Sequence, residues 1–256
     1  MVSRARRIHV ARDVKRRAKL PPADQPQTCL TPGCGKPTQR TIGKGLSATH
    51  CKACVEHRRR HGSYWRRSYL VRELRPFREA ARQWLRDNAG DGDVEGAITA
   101  LDSMLASSGR PQSAFAIRGL PSRERSRIAL ARLYAAGKDG RTLLLIVLTI
   151  RATMSAIGPH GSEEFLQVQV AKMAHRLASG TVMRDADGNP LSLDRSSPHR
   201  AAVPRGYPRF QVSKWPRAEG AVMRHLGAAI LERTSRVATA ETIAEIVSMA
   251  NAGGPR

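Results

Sequence analysis

A chain of 256 residues, 41% of them hydrophobic, is long enough for one ordinary domain or two small ones and too apolar to be disordered throughout. It carries 44 lysines and arginines against 21 acids, a formal charge of +23, which argues against small-molecule metabolism and for a polyanion nearby, either nucleic acid or an anionic membrane surface. Aromatic residues make up only 4%, which disfavours a β-sandwich or barrel.

Eight of the 44 basic residues are lysine, which leaves 36 arginines. Arginine forks onto phosphate and stacks on bases, where lysine is a point charge. A GC-rich, bacterial genome would explain arginine over lysine, but it does not explain +23. The longest apolar run, Leu143 to Ile150, stops at Arg151 and is far short of the ~20 residues a bilayer needs, so no membrane partner is expected. The basic N-terminus has no apolar stretch behind it and does not read as a secretory signal. The expected location is the cytoplasm, with the nucleoid in a bacterium or the nucleus in a eukaryote.

In chain order, residues 1–28 read as a basic arm and linker, with Arg16 and Arg17 in the arm and a break at Pro21-Pro22. Residues 29–67 hold all four cysteines and read as a metal module. Residues 68–180 read as a helical domain. Its apolar positions Leu70, Val71, Leu74, Phe77, Ala81, Trp84 and Leu85 recur near the 3.6 period and predict a helix from Leu70 to Asn88, with Pro76 starting or kinking it. Further helices are predicted over Val94–Ala106, capped by Asp91 or Asp93, and over Ser122–Ala136, Arg141–Ile157 and Ser162–Leu177. The Arg141–Ile157 helix is apolar nearly all round, which makes it the buried centre of a bundle rather than the recognition helix of a helix-turn-helix.

Residues 181–216 read as a short β-hairpin turning at Asp187-Gly188-Asn189, then an extended Pro/Arg-rich segment. Residues 217–256 read as two C-terminal helices, Arg217–Arg233 and Thr239–Asn251, stopped by Gly253-Gly254. The expected fold class is therefore mainly α: a small four-cysteine zinc module, zinc-ribbon or treble-clef-like, plus a multi-helix domain with one short hairpin.

The cysteines are spaced Cys29-x4-Cys34-x16-Cys51-x2-Cys54. Two close pairs across a loop supply four thiolates for one tetrahedral Zn²⁺, a structural cofactor that holds together a module too small for its own core. No cysteine is left over, and a reducing compartment disfavours disulfides. His50 and His57 flank the second pair and are alternative ligands, but the C-x2-C pair is already complete with Cys54.

The run Cys29-Leu30-Thr31-Pro32-Gly33-Cys34-Gly35-Lys36-Pro37, then Gly45-Leu46, then Cys51-Lys52-Ala53-Cys54 and His57-Arg58-Arg59-Arg60-His61-Gly62 resembles the zinc-binding loop of phage and mobile-element proteins, including HNH-type homing endonucleases. Cys54 stands where that pattern usually has histidine, and extra residues separate Leu46 from Cys51. The resemblance covers residues 29–63 and implies a zinc module beside nucleic acid. The nuclease chemistry does not carry over, because the downstream histidines, His61, His160, His175, His199 and His225, are scattered and asparagine is scarce. Enzymatic activity is not expected.

Residues His57 to Tyr69 contain five arginines and three aromatics. Arg58, Arg59, Arg60, Arg66 and Arg67, with Tyr64, and Lys44 in the loop before them, are candidate nucleic-acid contacts. Trp65 is expected to pack the module against its neighbour, since a coreless module needs an anchor. A second strip, Arg195 to Arg217, interleaves Arg205 and Arg209 with Tyr207, Phe210 and Trp215, and either tracks a backbone or crosses the helical domain as a linker. The expected function is zinc-containing nucleic-acid binding, DNA favoured over RNA, in a phage, mobile-element or transcription-regulatory setting. The alternatives are an RNA- or ribosome-associated protein, a metal-dependent nuclease, and an assembly subunit whose helical domain binds a protein partner.

Overall fold

The computed structural model describes residues 26–38, 48–112, 116–117, 119–158, 162–178, 181–184, 190–191, 211–214 and 220–253. Arg16, Arg17, Lys44, Arg205 and Arg209 lie outside the described residues. The chain divides into two compact units, Met1–Ser68 and Tyr69–Arg256. The described part is mainly helical.

In the first unit a short segment is closed by an antiparallel bridge between Thr28 and Pro37, and the Thr38 hydroxyl donates to the Pro26 carbonyl. Helix α1, Lys52–His61, follows. It ends at Gly62 in the left-handed region, whose N–H returns to the Arg58 carbonyl at 2.7 Å. Arg58, Arg59, Arg60 and His61 fill its last turn, where positive charge suits the negative end of the helix dipole.

The second unit is a bundle of seven described helices. Helix α2, Val71–Asp87, starts where Glu73 accepts the Leu70 N–H at 2.6 Å. Pro76 therefore lies inside the helix and neither starts nor ends it. Its buried stripe is Leu74, Phe77, Ala80, Ala81, Trp84 and Leu85. Asp91, through its carboxylate, caps α3, Gly92–Ala106. Helix α4 is Ser122–Ala135 and α5 is Gly140–Ile157, capped by Asp139. Helix α6, Glu163–Leu177, is capped by Ser162. Helices α7, Ala221–Arg233, and α8, Ala240–Ala252, close the unit, the latter capped by Thr239. Each of these four side-chain caps satisfies backbone donors that the first turn leaves open.

Helix α5 is long and apolar enough to cross a membrane by composition, but in the bundle it is the core helix: Leu143, Leu144, Val147 and Leu148 are completely buried. Helices α2, α3, α6 and α8 all pack on it. Two glycines set the closest approaches. A methyl group on Gly140 would lie 2.3 Å from the Ile98 carbonyl, and one on Gly227 would lie 2.0 Å from the Gln167 carbonyl, so α5 nears α3, and α7 nears α6, backbone to backbone. Trp84 Nε1 donates to Glu245 at 2.7 Å and Arg224 pairs with Glu164 at 3.0 Å, tying α2 to α8 and α7 to α6.

Three short strands, β1 (Thr181–Arg184), β2 (Pro190–Leu191) and β3 (Gln211–Lys214), form an antiparallel sheet in the order β2-β1-β3. Met183 pairs with Leu191, and Thr181 with Lys214. The strands of the expected hairpin pair as β1–β2, and its turn at Asp187-Gly188-Asn189 lies outside the described residues. Part of the segment read as merely extended adds a third strand instead, because β1 has a second edge of open backbone donors and acceptors that β3 fills.

Candidate metal centre

The first cysteine pair is set by a tight turn. Cys34 N–H bonds the Thr31 carbonyl at 3.0 Å, and Cys29 N–H bonds the Lys36 carbonyl at 2.8 Å. Gly33 and Gly35 sit at φ +73° and +58°, values that side chains rarely tolerate, so the chain can curl under both sulfurs. The second pair comes from α1: Cys51 is its N-cap residue and Cys54 lies in its first turn. One pair on a knuckle and one at a helix start is the arrangement expected of a treble-clef-like module. Leu30 N–H bonds the Thr49 carbonyl at 2.9 Å and holds the two halves in register.

The four sulfurs lie within 4.8 Å of one another, and the group can hold a metal ion. Cys34 Sγ is 3.6 Å from Cys51 Sγ and 3.5 Å from Cys54 Sγ. A disulfide needs about 2.05 Å; sulfurs at about 2.3 Å from a central tetrahedral zinc would stand about 3.8 Å apart. The spacing suits four separate ligands, and all four thiols are free.

Burial raises the Cys29 thiol, but the Thr31 hydroxyl beside it, the Cys51 and Thr31 backbone N–H groups and the Cys54 thiol outweigh that and bring it down to about 6. The Thr31 hydroxyl lowers Cys54 as well; burial and the neighbouring Cys34, Cys51 and Cys29 sulfurs prevail there and push it up to about 12. The Cys29 thiolate forms readily, and the sulfurs around Cys54 oppose a second one there. A cation at the centre removes that opposition.

The two histidines that flank the second pair are engaged elsewhere. His50 stacks on Tyr64 with ring centroids 3.9 Å apart and bonds Thr49 Oγ1. His57 Nδ1 bonds the Ser63 carbonyl at 2.8 Å. Cys54, not a histidine, is the fourth member of the cluster.

Around the cluster, the Arg58 guanidinium lies 5.0 Å from the Tyr64 ring centroid and donates to the Tyr64 hydroxyl at 2.7 Å. Arg59, Arg60 and Arg67 are exposed, while Arg58 and Arg66 are half-buried. Trp65 is 61% exposed. Within the module the packing aromatic is Tyr64: it lies against the cysteine cluster, where a flat ring with a polar end fits both His50 and Arg58. The two aromatic neighbours in sequence point to different environments.

The sequence reading did not bring together His57 and His61, whose ring centroids lie 4.4 Å apart at a tilt of 30°. His61 Nδ1 accepts the Ser68 N–H at 3.0 Å, so this pair pins residues 63–68 back onto α1. The i, i+4 spacing was the available signal. Comparison with protein-family models, curated proteins and solved structures finds nothing that matches this chain, so the likeness of residues 29–63 to the HNH-type module rests on its motif alone.

Proposed function

We propose that the first unit is a zinc module that binds nucleic acid, DNA in preference to RNA, with Zn²⁺ held by Cys29, Cys34, Cys51 and Cys54. The observation that carries this reading is a four-thiol cluster followed closely in the chain by exposed cationic and aromatic side chains: Arg59, Arg60 and Arg67 with Trp65, all within 14 residues of Cys54. Four sulfurs and no carboxylate suit a soft, tetrahedral ion, which is zinc's preference. Clustered arginines repel one another, and a polyanion relieves the repulsion. The metal's part is structural; it fixes α1 and the segment behind it. A phage, mobile-element or transcription-regulatory setting, and a location with the nucleic acid in the cytoplasm or nucleoid, follow as parts of the same proposal. The outlying residues Arg16, Arg17, Lys44, Arg205 and Arg209 would add phosphate contacts.

The test is binding of the zinc-loaded full chain to matched duplex DNA, single-stranded DNA and RNA across a salt series, with Mg²⁺ present and the products run on a gel. Engagement of ~6–8 phosphates gives a slope of log affinity on log salt near −5 to −7. Preference for DNA with such a slope supports the reading. Preference for RNA at equal salt selects the RNA-associated alternative, Mg²⁺-dependent cut products select the nuclease, and no binding at low salt overturns the proposal.

A further inference from the structure

The helical unit has a groove lined entirely by its own helices. It runs along α2 between α5 and α6. A cavity of about 290 Å³ lies at one end, with a floor of Leu74, Leu145, Ile146, Met173 and Leu177. A second hollow of about 240 Å³ continues it, sharing Arg82, Thr142 and Leu145. From Val71 to Arg86 the groove follows fifteen residue steps of α2, about 22 Å at 1.5 Å per residue.

Its rim is predominantly basic. Arg75, Arg78, Arg82 and Arg86 are spaced by three, four and four residues, so they form one ridge of α2 along the groove. Two acids stand among them: Glu79 pairs with Arg75 at 3.0 Å, and Asp139, at the far end, caps α5 by accepting the Thr142 N–H at 2.8 Å. Arg78 and Arg82 are exposed and make no hydrogen bond or ion pair among the described residues. Val71, at the open end, is 78% exposed, a large apolar side chain left to water.

The geometry points to a protein-docking groove that takes an acidic amphipathic helix, its leucine-type face on the floor and its carboxylates against Arg78 and Arg82. Length decides against a small ligand, since the groove is far longer than one. The floor decides against a nucleic-acid backbone, which gains nothing from Leu145 and Met173. A helix of about 15 residues spans about 22 Å and presents apolar side chains at i, i+3, i+4 and i+7, the register such a groove reads. The ridge of arginines supplies complementary charge and orientation.

The probe is a labelled, helix-forming 15-residue peptide with leucines on one face and glutamates beside them, titrated by anisotropy into the zinc-loaded full chain. Its controls are the same peptide with lysines for glutamates and a scrambled peptide of equal composition. The acidic amphipathic peptide is expected to bind saturably, the lysine and scrambled versions at least about tenfold more weakly. Arg78→Glu with Arg82→Glu is expected to weaken the acidic peptide at least about tenfold and leave the melting temperature and duplex-DNA affinity unchanged. Val71→Glu, at an exposed first-turn position where acid suits the helix dipole, guards against a folding artefact and is expected to weaken the peptide too. Equal binding of the scrambled peptide, or no saturable binding, overturns the proposal. So does a double variant that loses DNA and keeps the peptide, which would assign the ridge to nucleic acid. Failure of DNA binding alone leaves this groove intact and counts only against the zinc-module reading.

Discussion

Tyr64 and Trp65 are adjacent, yet they meet different physics. The Tyr64 ring is stacked on His50 and its hydroxyl is bonded to Arg58, so it holds the module together. Trp65 leaves most of its surface in water, where its ring is open to stacking by a base. Tyr64→Ala is expected to speed zinc release to a chromogenic chelator and lower the module's stability. Trp65→Ala is expected to keep zinc content and melting unchanged while weakening single-stranded nucleic acid by about 1–3 kcal/mol per stacked base. The reverse pattern would return the anchor to Trp65. A second single-residue test concerns His175, half-buried in α6. Burial, and then the Arg132 charge, hold its imidazole below the ordinary value of 6.5. The folded state therefore binds this proton more weakly than the unfolded chain. The stability His175 contributes is whole above about pH 6.5 and is lost as pH falls toward its folded value. Melting temperature should drop more steeply from pH 7 to 5 in the native chain than in His175→Gln; parallel curves would refute the linkage.

At the scale of elements, the tightest joint is α6 against α7. Alanine favours a helix over glycine by ~1 kcal/mol, so Gly227→Ala in an open helix would stabilise. Here the added methyl group would sit 2.0 Å from the Gln167 carbonyl, an atom of backbone that cannot swing aside. Overpacking of about 1–3 kcal/mol wins, and Gly227→Ala should lower the melting temperature of the helical unit. A rise would show that the two helices separate freely. The α2 stripe was readable in the sequence because Leu74, Phe77, Ala81, Trp84 and Leu85 repeat with the helix period, and all five are buried. Leu70 and Val71 fit the period too but lie at the helix start and are exposed, since periodicity does not say where the neighbouring helices end. The cysteine cluster was readable because two close pairs have one economical use. The third strand was not: Gln211–Lys214 pairs with Thr181–Arg184 across a long chain separation, and pairing of that kind leaves no local pattern. Nor was the groove, which needs three helices side by side before Arg78 and Arg82 border one apolar floor.

For the molecule as a whole, the two units draw on different sources of stability. The helical unit buries one extended apolar cluster, from Leu74 and Phe77 on α2 to Ile243 and Ile246 on α8. The first unit has Cys29, Cys51 and Cys54 as its buried cluster, with Cys34 and Tyr64 packed against it. Three sulfur-bearing side chains and a tyrosine cannot offset the entropy of ordering that much chain, at about 1–2 kcal/mol per residue. Metal–ligand bonds can, since structural zinc sites contribute apparent free energies of about 10–16 kcal/mol at pH 7. Metal removal should therefore act on one unit. Stripping zinc from the full chain with a strong chelator is expected to expose residues 26–38 and 48–68 to protease and collapse their amide resonances, while the helical unit melts at its former temperature. Cys51→Ser should reproduce that state without chelator, because it removes a sulfur 3.6 Å from Cys34 and leaves three ligands. Re-addition of zinc should restore the stripped native chain and fail to restore Cys51→Ser fully. A chelated chain that keeps its first-unit resonances would mean the cysteines pack as ordinary apolar side chains, and the metal reading would fall with the nucleic-acid reading built on it. Simultaneous melting of both units on chelation would show instead that the bundle depends on the module for its own stability.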